Sequence, residues 1–454
     1  MSGGSIAAYF KFAERGTDFV TEARAGLTTF MVMAYIIFLN PNILAAGFGD
    51  ADPAFTVPAL AAATALVAGV MTIAMGVVGN YPFALAAGLG INAIVAFSLT
   101  GRGLTPAGAM GVIVLEGIIV TILVLAGLRE AVMNAVPLAL KRSIGVGIGL
   151  FILFIGFANG GLITAGSGTL VTPSYPTTPS QFVFLIGLAI TIALWALKVR
   201  AALVISILVT TLIGLIPAAL GLGPVTVIPD SFTLTPSFST VGAFDLGNVF
   251  TLAPLVAILV IFAIMLTDFF DTMGTVTGVA AEAGLAEEDG SVPGVGRVLL
   301  VDSIAAAVGG LAGTSSNTTY IESAAGVAEG GRTGFTAVVT GVLFLIAIVL
   351  APIAGIVPGV ATAPALVLVG YLMFTLVRDI PVDNVDEGLP ALLTMILMPL
   401  TYDITVGIGA GFITWVLIKI VRGRATEVHP LMWLVAIAFV IFFGQDWLPT
   451  ILPS

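Results

Sequence analysis

The sequence predicts an all-α polytopic membrane protein: fourteen transmembrane segments in a 7+7 inverted repeat, with short β-strands in segments three and ten. Three observations predict it. Of 454 residues, 59% are hydrophobic and only 9% charged, with a mean hydropathy of +1.17. A soluble multidomain chain is about one quarter charged and cannot hide this much apolar surface. The apolar stretches are also continuous over the ~20 residues a helix needs to cross ~30 Å of hydrocarbon, rather than alternating as in a membrane β-barrel. Third, a Pro/Thr/Ser-rich stretch at 222–248, free of Lys and Arg, divides the spans into two sets of equal number.

In order, spans are expected near residues 25–46, 58–79, 83–99, 106–128, 137–157, 180–197 and 201–221. Past the 222–248 loop they resume near 249–271, 295–312, 318–329, 334–352, 360–377, 388–400 and 403–421. Residues 1–24 carry Lys11, Glu14, Arg15, Asp18, Glu22 and Arg24 and no cleavable signal, so the first helix is expected to stay. Lys11, Arg15 and Arg24 place the N-terminus in the cytoplasm of a multi-pass plasma-membrane protein. An odd number of spans per half makes the second half enter with opposite orientation, so any likeness between halves is an inverted repeat. Lys141, Arg142, Lys198, Arg200, Arg297, Arg332 and Arg378 then share the cytoplasmic side with Lys419, Arg422 and Arg424. The leftover segment 430–445 is expected on the membrane surface, with an extra span as the alternative.

Segments three and ten are short and broken. The third opens Asn80-Tyr81-Pro82-Phe83-Ala84-Leu85 and continues through Gly88 and Gly90; the tenth opens with the Thr/Ser run 314–319, too polar to face lipid. Non-helical backbone at membrane depth must be buried in protein or line a cavity. Paired interruptions at equivalent places in two halves point to a transporter site. Two extended pieces crossing near the midplane are expected, each feeding a half-helix whose first amides point into the gap.

An ionised carboxylate at mid-bilayer costs about 2.5–3.5 kcal/mol, so each needs a reason. Asp268 and Asp271 lie three apart in the eighth span, a spacing that puts them on one helical face. Glu322 opens the tenth-span half-helix, and Asn92 lies one turn into the third. These four are expected to converge on one cavity whose acceptors suit a flat ligand rich in ring N–H and exocyclic amine donors. Glu116 and Asp302 read instead as pairing between helices. A carboxylate in a low-dielectric cavity takes up a proton readily, which fits proton coupling; sodium coupling would use similar oxygens.

The composition also excludes. With no cysteine, disulfides, thiolate nucleophiles and Cys metal sites are removed. The single histidine, His429, sits in a loop beside Pro430, so no metal or cofactor set is expected and an intramembrane enzyme lacks its parts. The net charge of −10 lies largely in loops, including Glu287-Glu288-Asp289 and Asp383 to Glu387, and disfavours nucleic acid as a partner. The glycines of Gly145-Val146-Gly147-Ile148-Gly149 read as close helix packing, not a nucleotide loop.

Four stretches, GLTTFMVMAYIIFLNP (26–41), AAGLGINA (86–93), DFFDTMGT (268–275) and SSNTTYIESAAGVAEGGRTG (315–334), together resemble the azaguanine-type purine permeases, a branch of the nucleobase–ascorbate transporters. The resemblance extends to EVHPLMW (427–433). It implies a core domain from spans 1–4 and 8–11 and a gate domain from spans 5–7 and 12–14. Behind a cytoplasmic stretch at 1–24, the core is then 25–128 and 249–353, and the gate 129–248 and 354–454. It implies import of hypoxanthine, guanine or adenine with protons, the core moving against the gate.

The family's binding acids match Asp268, Asp271 and Glu322, and its third-span asparagine matches Asn92. In the wider superfamily a glycine follows the eighth-span acid by three residues, which selects Asp271 before Gly274; which aspartate touches the base stays open. Backbone groups offered by relatives match Phe83-Ala84 and Ile321, with Phe83 or another aromatic stacking on the base. A histidine of some relatives is Thr275 here, so carboxylates must carry the proton. Related transporters form homodimers, though nothing in these residues demands one. The alternative reading is an anion transporter or channel of the same architecture. It would want a basic residue at the broken helices, and Arg102 and Arg332 lie at span ends.

Overall fold

The computed structural model describes residues 3–127, 135–166, 168–228, 235–287 and 291–444. Glu288 and Asp289, the 128/129 boundary, part of the 222–248 loop and the chain beyond 444 lie outside the described residues. Among the described residues ten helices are long and apolar enough to cross a membrane, which makes the chain a mostly helical multi-pass membrane protein.

The chain opens with α1 (Gly3–Tyr9), α2 (Phe19–Met33), α3 (Ile36–Phe48) and α4 (Val57–Ala74), the last prolonged by a π-helical turn, Met75–Gly79. Strand β1 (Leu85–Ala87) leads into the half-helix α5 (Leu89–Ala93), which a π-helical stretch carries to Leu99. Then follow α6 (Pro106–Leu125), α7 (Leu138–Asn159), a small hairpin of β2 (Ile163–Ala165) and β3 (Val171–Pro173), α8 (Pro179–Ala196) and α9 (Ala202–Ile213). The second part holds α10 (Pro254–Glu282), α11 (Val295–Leu311), β4 (Asn317–Thr319), the half-helix α12 (Ser323–Ala328), α13 (Gly334–Ala347), α14 (Gly359–Phe374), α15 (Val385–Thr401), α16 (Ile404–Val421) and α17 (Pro430–Gly444).

Packing falls into two groups. In one, α2, α4 and α13 pack together and α6 packs on α11; in the other, α7 packs on α14 and α15, α8 on α9 and α14, and α15 on α16. Small residues set how closely these helices approach. A Cβ on Gly334 would lie 1.9 Å from the Gly76 carbonyl oxygen, and one on Gly370 would lie 2.5 Å from that of Gly149. The two groups thus use glycine contacts of the same kind, and Gly149 packs rather than cradling phosphate.

Two expectations change. The eighth span is not 249–271 but 254–282, opened by Pro254 in the first turn and closed before Gly284, whose φ of +66° ends the helix. Gly274 and Gly278 do not break it, because the helix around them is anchored by buried apolar neighbours such as Val276 and Val279. The 430–445 segment, expected on the membrane surface, is a helix over Pro430–Gly444 packed on the bundle. Phe439 of α17 packs on Phe412 of α16 at 6.2 Å between ring centroids, and Phe442 lies under the Arg102 guanidinium at 5.4 Å. An interfacial helix needs a polar face, and PLMWLVAIAFVIFFG has none. His429 is exposed and accepts the Leu431 amide (3.2 Å), closing the start of this helix.

The N-terminal segment marks one end of the bundle. Tyr9 donates to the Val77 carbonyl (2.7 Å), and Arg15 donates to those of Asn80 (2.5 Å) and Arg332 (2.8 Å). At the opposite end, Arg102 pairs with Asp403.

Candidate functional site

Strands β1 and β4 meet antiparallel, Leu85 opposite Thr319, Ala86 opposite Thr318 and Ala87 opposite Asn317. Pro82 denies the approach to β1 a helical hydrogen bond, and the β-branched Thr318 and Thr319 favour extended backbone. The ladder continues beyond the strands: the Tyr320 amide donates to the Ala84 carbonyl and the Gly88 amide to that of Ser316, both at 2.9 Å. Both strands are also held from the side. Thr72 of α4 accepts the Leu85 amide (2.9 Å), and Ser323 accepts that of Ala84 (2.9 Å). Asp302 of α11 accepts the Thr319 amide (2.9 Å) and hydroxyl (2.8 Å) with one oxygen and the Thr272 hydroxyl (2.7 Å) with the other. A buried carboxylate thereby fixes β4 to α10, the pairing role its sequence setting suggested.

Beside this platform opens a crevice. On α10 the exposed positions Asp271, Gly274, Gly278 and Ala281 recur at helical spacing, and a Cβ added at Gly274 would meet open space. Across from them Ile321, 55% exposed, reaches to 4.0 Å of where a Cβ on Gly278 would stand. Glu322 follows it, half-buried, and accepts the hydroxyl of the fully buried Tyr35 (2.7 Å) on one carboxylate oxygen. Asp271 lies within Coulombic reach of Glu322 and Asp302. Two carboxylates from different segments therefore share one mouth, held by a tyrosine at the α2–α3 junction.

The other expected residues are buried rather than exposed at the crevice, Ile321 excepted. Asp268 is 0% exposed although it is one turn from Asp271: positions three apart differ by about 60° around a helix, enough to turn one inward and leave the other at the crevice. Both aspartates sit mid-helix; the unwound backbone near them belongs to β4. Asn92 is fully buried, and neither of its amide atoms makes a hydrogen bond among the described residues; the same holds for Asn317. Phe83 does not present its ring to the crevice: it is 0% exposed and stacked on Tyr81 at 5.0 Å. The Ala84 amide and carbonyl are both engaged, with Ser323 and Tyr320. Thr275 and Glu116 are buried. Tyr35 was missed by the sequence reading, although it lies inside the GLTTFMVMAYIIFLNP stretch; its partner stands 287 residues away. Among the described residues no group of three or more His, Asp or Glu is placed to hold a metal ion.

A helical membrane bundle whose broken segments meet beside a carboxylate-lined crevice is a multi-pass permease, not an enzyme. The profile Xan_ur_permease, described as "Permease family", matches residues 21–410. The chain is 40% identical over 441 residues to the guanine/hypoxanthine permease PbuG of Bacillus subtilis (strain 168), covering 96% of this chain and 98% of that protein. It is 39% identical over 440 residues to the adenine permease AdeP of Escherichia coli (strain K12), covering 96% of each. The chain belongs to this permease family, in the purine permease branch of the nucleobase–ascorbate transporters. Its fold is also similar to the transmembrane domain of BicA, a cyanobacterium bicarbonate transporter. The TM-score is 0.61 over 86% of this chain and 96% of that one; at 14% identity this speaks for the fold alone.

Proposed function

We propose that the chain imports purine nucleobases, hypoxanthine, guanine or adenine, together with protons. The observation that carries the reading is the crevice shared by Asp271 and Glu322, in a chain whose relatives are named guanine/hypoxanthine and adenine permeases. A neutral purine presents ring N–H donors, and carboxylates are acceptors for them. In this reading Asp271 and Glu322 bond the edge of the base, the Ile321 backbone adds a contact, and the buried Asp268 and Asn92 complete the polar set behind them. Tyr35 holds one oxygen of Glu322, leaving the other for the ligand.

One acidic group takes a proton on the outer side, completes the ligand-competent site and discharges inside. The fourteen-segment count adds β1–α5, α11, β4–α12 and α15 to the ten long helices, in two inverted sevens. The group containing α2, α4, α6, α11 and α13 acts as the core and moves against the gate formed by α7, α8, α9, α14, α15 and α16, an alternating-access cycle of elevator type. The N-terminus is cytoplasmic and the membrane is the plasma membrane. The test is uptake of radiolabelled hypoxanthine with guanine, adenine, xanthine and uracil as competitors at two external pH values. Competition by guanine or adenine but not uracil, with faster uptake at the lower pH, is expected. Absence of purine uptake contradicts the reading, and uptake indifferent to pH contradicts the proton.

A further inference from the structure

The end of the bundle away from the N-terminal segment holds a cavity of about 310 Å³, at the lower end of the range of small-molecule sites. One wall comes from α3, which packs on α4 of the first group, with Asn42 and Ile43; the facing walls come from α7, α8 and α14 of the second, with Asn159, Ser180, Thr362 and Leu366. The cavity therefore sits between the two packing groups. It is also separate from the crevice: Asn42 lies seven residues beyond Tyr35, about 10 Å along α3, and Leu39 between them is 0% exposed.

The lining chemistry is specific in what it omits. Among the described residues no charged side chain lines the cavity, so no full charge is set against an ionic ligand. It offers neutral hydrogen-bonding groups beside apolar side chains such as Ile43 and Leu366. The Asn42 amide nitrogen is engaged with the Phe38 carbonyl (2.8 Å) and the Thr362 hydroxyl donates to that of Gly359 (3.0 Å), which leaves their oxygens as acceptors. Asn159 and Ser180 each bring a donor and an acceptor. Mixed neutral donors and acceptors among apolar side chains suit a small uncharged heterocycle.

We propose that this cavity is a second, outer binding site for the neutral nucleobase, occupied on the way to the Asp271–Glu322 crevice. The inference rests on the purine reading of the crevice. Because its walls belong to both packing groups, movement of one group against the other opens or closes it.

The chain has no cysteine, so Ser180→Cys and, separately, Val360→Cys each place a single thiol at this cavity. Each full-length variant is made with and without Glu322→Gln, purified in detergent, checked for a monodisperse folded state, and alkylated with a maleimide in the presence or absence of hypoxanthine. Hypoxanthine is expected to slow alkylation of at least one reporter about fivefold or more, and to do so equally in the Glu322→Gln background. Protection that disappears with Glu322→Gln would mean that the thiols sense crevice-driven movement, and overturns the proposal; so does absence of protection at both reporters. Hypoxanthine uptake by the parent chain, measured in parallel, reports separately on the purine reading.

Discussion

Two carboxylate sites, the buried Glu22 and the Asp271–Glu322 crevice, show what separates a structural acid from one available to a ligand. Glu22, 0% exposed, receives the Arg332 amide (2.9 Å), the Thr333 amide (3.3 Å) and hydroxyl (2.8 Å), and the Thr336 amide (3.2 Å) and hydroxyl (2.6 Å). It serves as a remote cap for α13, satisfying amides that a helix start leaves without partners. Glu322 instead takes one side-chain donor, Tyr35, and Asp271 is exposed. A saturated carboxylate has no lone pairs left to offer; a partly satisfied one at a crevice does.

The largest effect expected from this contrast is at the saturated site. Glu22→Ala strands several buried donors, each costing about 1–3 kcal/mol, so it should lower stability by about 3 kcal/mol or more, read as lost yield or a lower melting temperature. Asp271→Asn should leave melting nearly unchanged and cut purine uptake by about 10–100-fold, the equivalent of one charge-assisted hydrogen bond. Melting losses of similar size in both variants would erase the distinction. Tyr35→Phe should weaken uptake about tenfold, since it removes one hydrogen bond of about 1–1.5 kcal/mol from Glu322 rather than the acid itself.

A pair of glycines sharpens the point further. Gly274→Ala should fold normally, its methyl entering open space, and lower uptake severalfold by crowding the crevice, whereas Gly334→Ala should fail to fold because its methyl meets the Gly76 carbonyl oxygen. Thermal melts and uptake of both variants check this.

The smallest effect lies outside the membrane. Asp18 accepts the amides of Thr21 (2.9 Å) and Val20 (2.8 Å) at the start of α2, and these bonds, Thr21 first, hold its carboxyl below the usual carboxylate range. Its folded pKa is thus below its unfolded one, so its stabilisation is present above the ordinary range and is lost as pH falls through the folded value. Asp18→Ala should melt slightly lower at pH 7, and the gap should close on acidification.

Much of this was legible in the sequence for a physical reason. A Thr/Ser run cannot face lipid, so Thr314–Thr319 announced an interrupted segment, and carboxylates at membrane depth singled out Asp268, Asp271 and Glu322 without separating the two aspartates. The polarity of a residue is local information; its partner is not. Tyr35 reads as an apolar-span aromatic until its hydroxyl is seen on Glu322, and Glu22 reads as a flanking charge until α13, over 300 residues on, supplies its donors. Phe83 likewise reads as a ring free to stack on a ligand until Tyr81, two positions away, is seen stacked on it. The i, i+3 spacing of Asp268 and Asp271 predicts a shared face but not its boundary, which the elements packed on α10, α6 and β4 among them, decide.

The most direct test of the central claim, that Asp271 and Glu322 hold a neutral purine, is equilibrium binding of radiolabelled hypoxanthine to purified Glu322→Gln. The account predicts at least about tenfold weaker binding at the crevice with a parent-like melting temperature, and parent-like crevice affinity would contradict it.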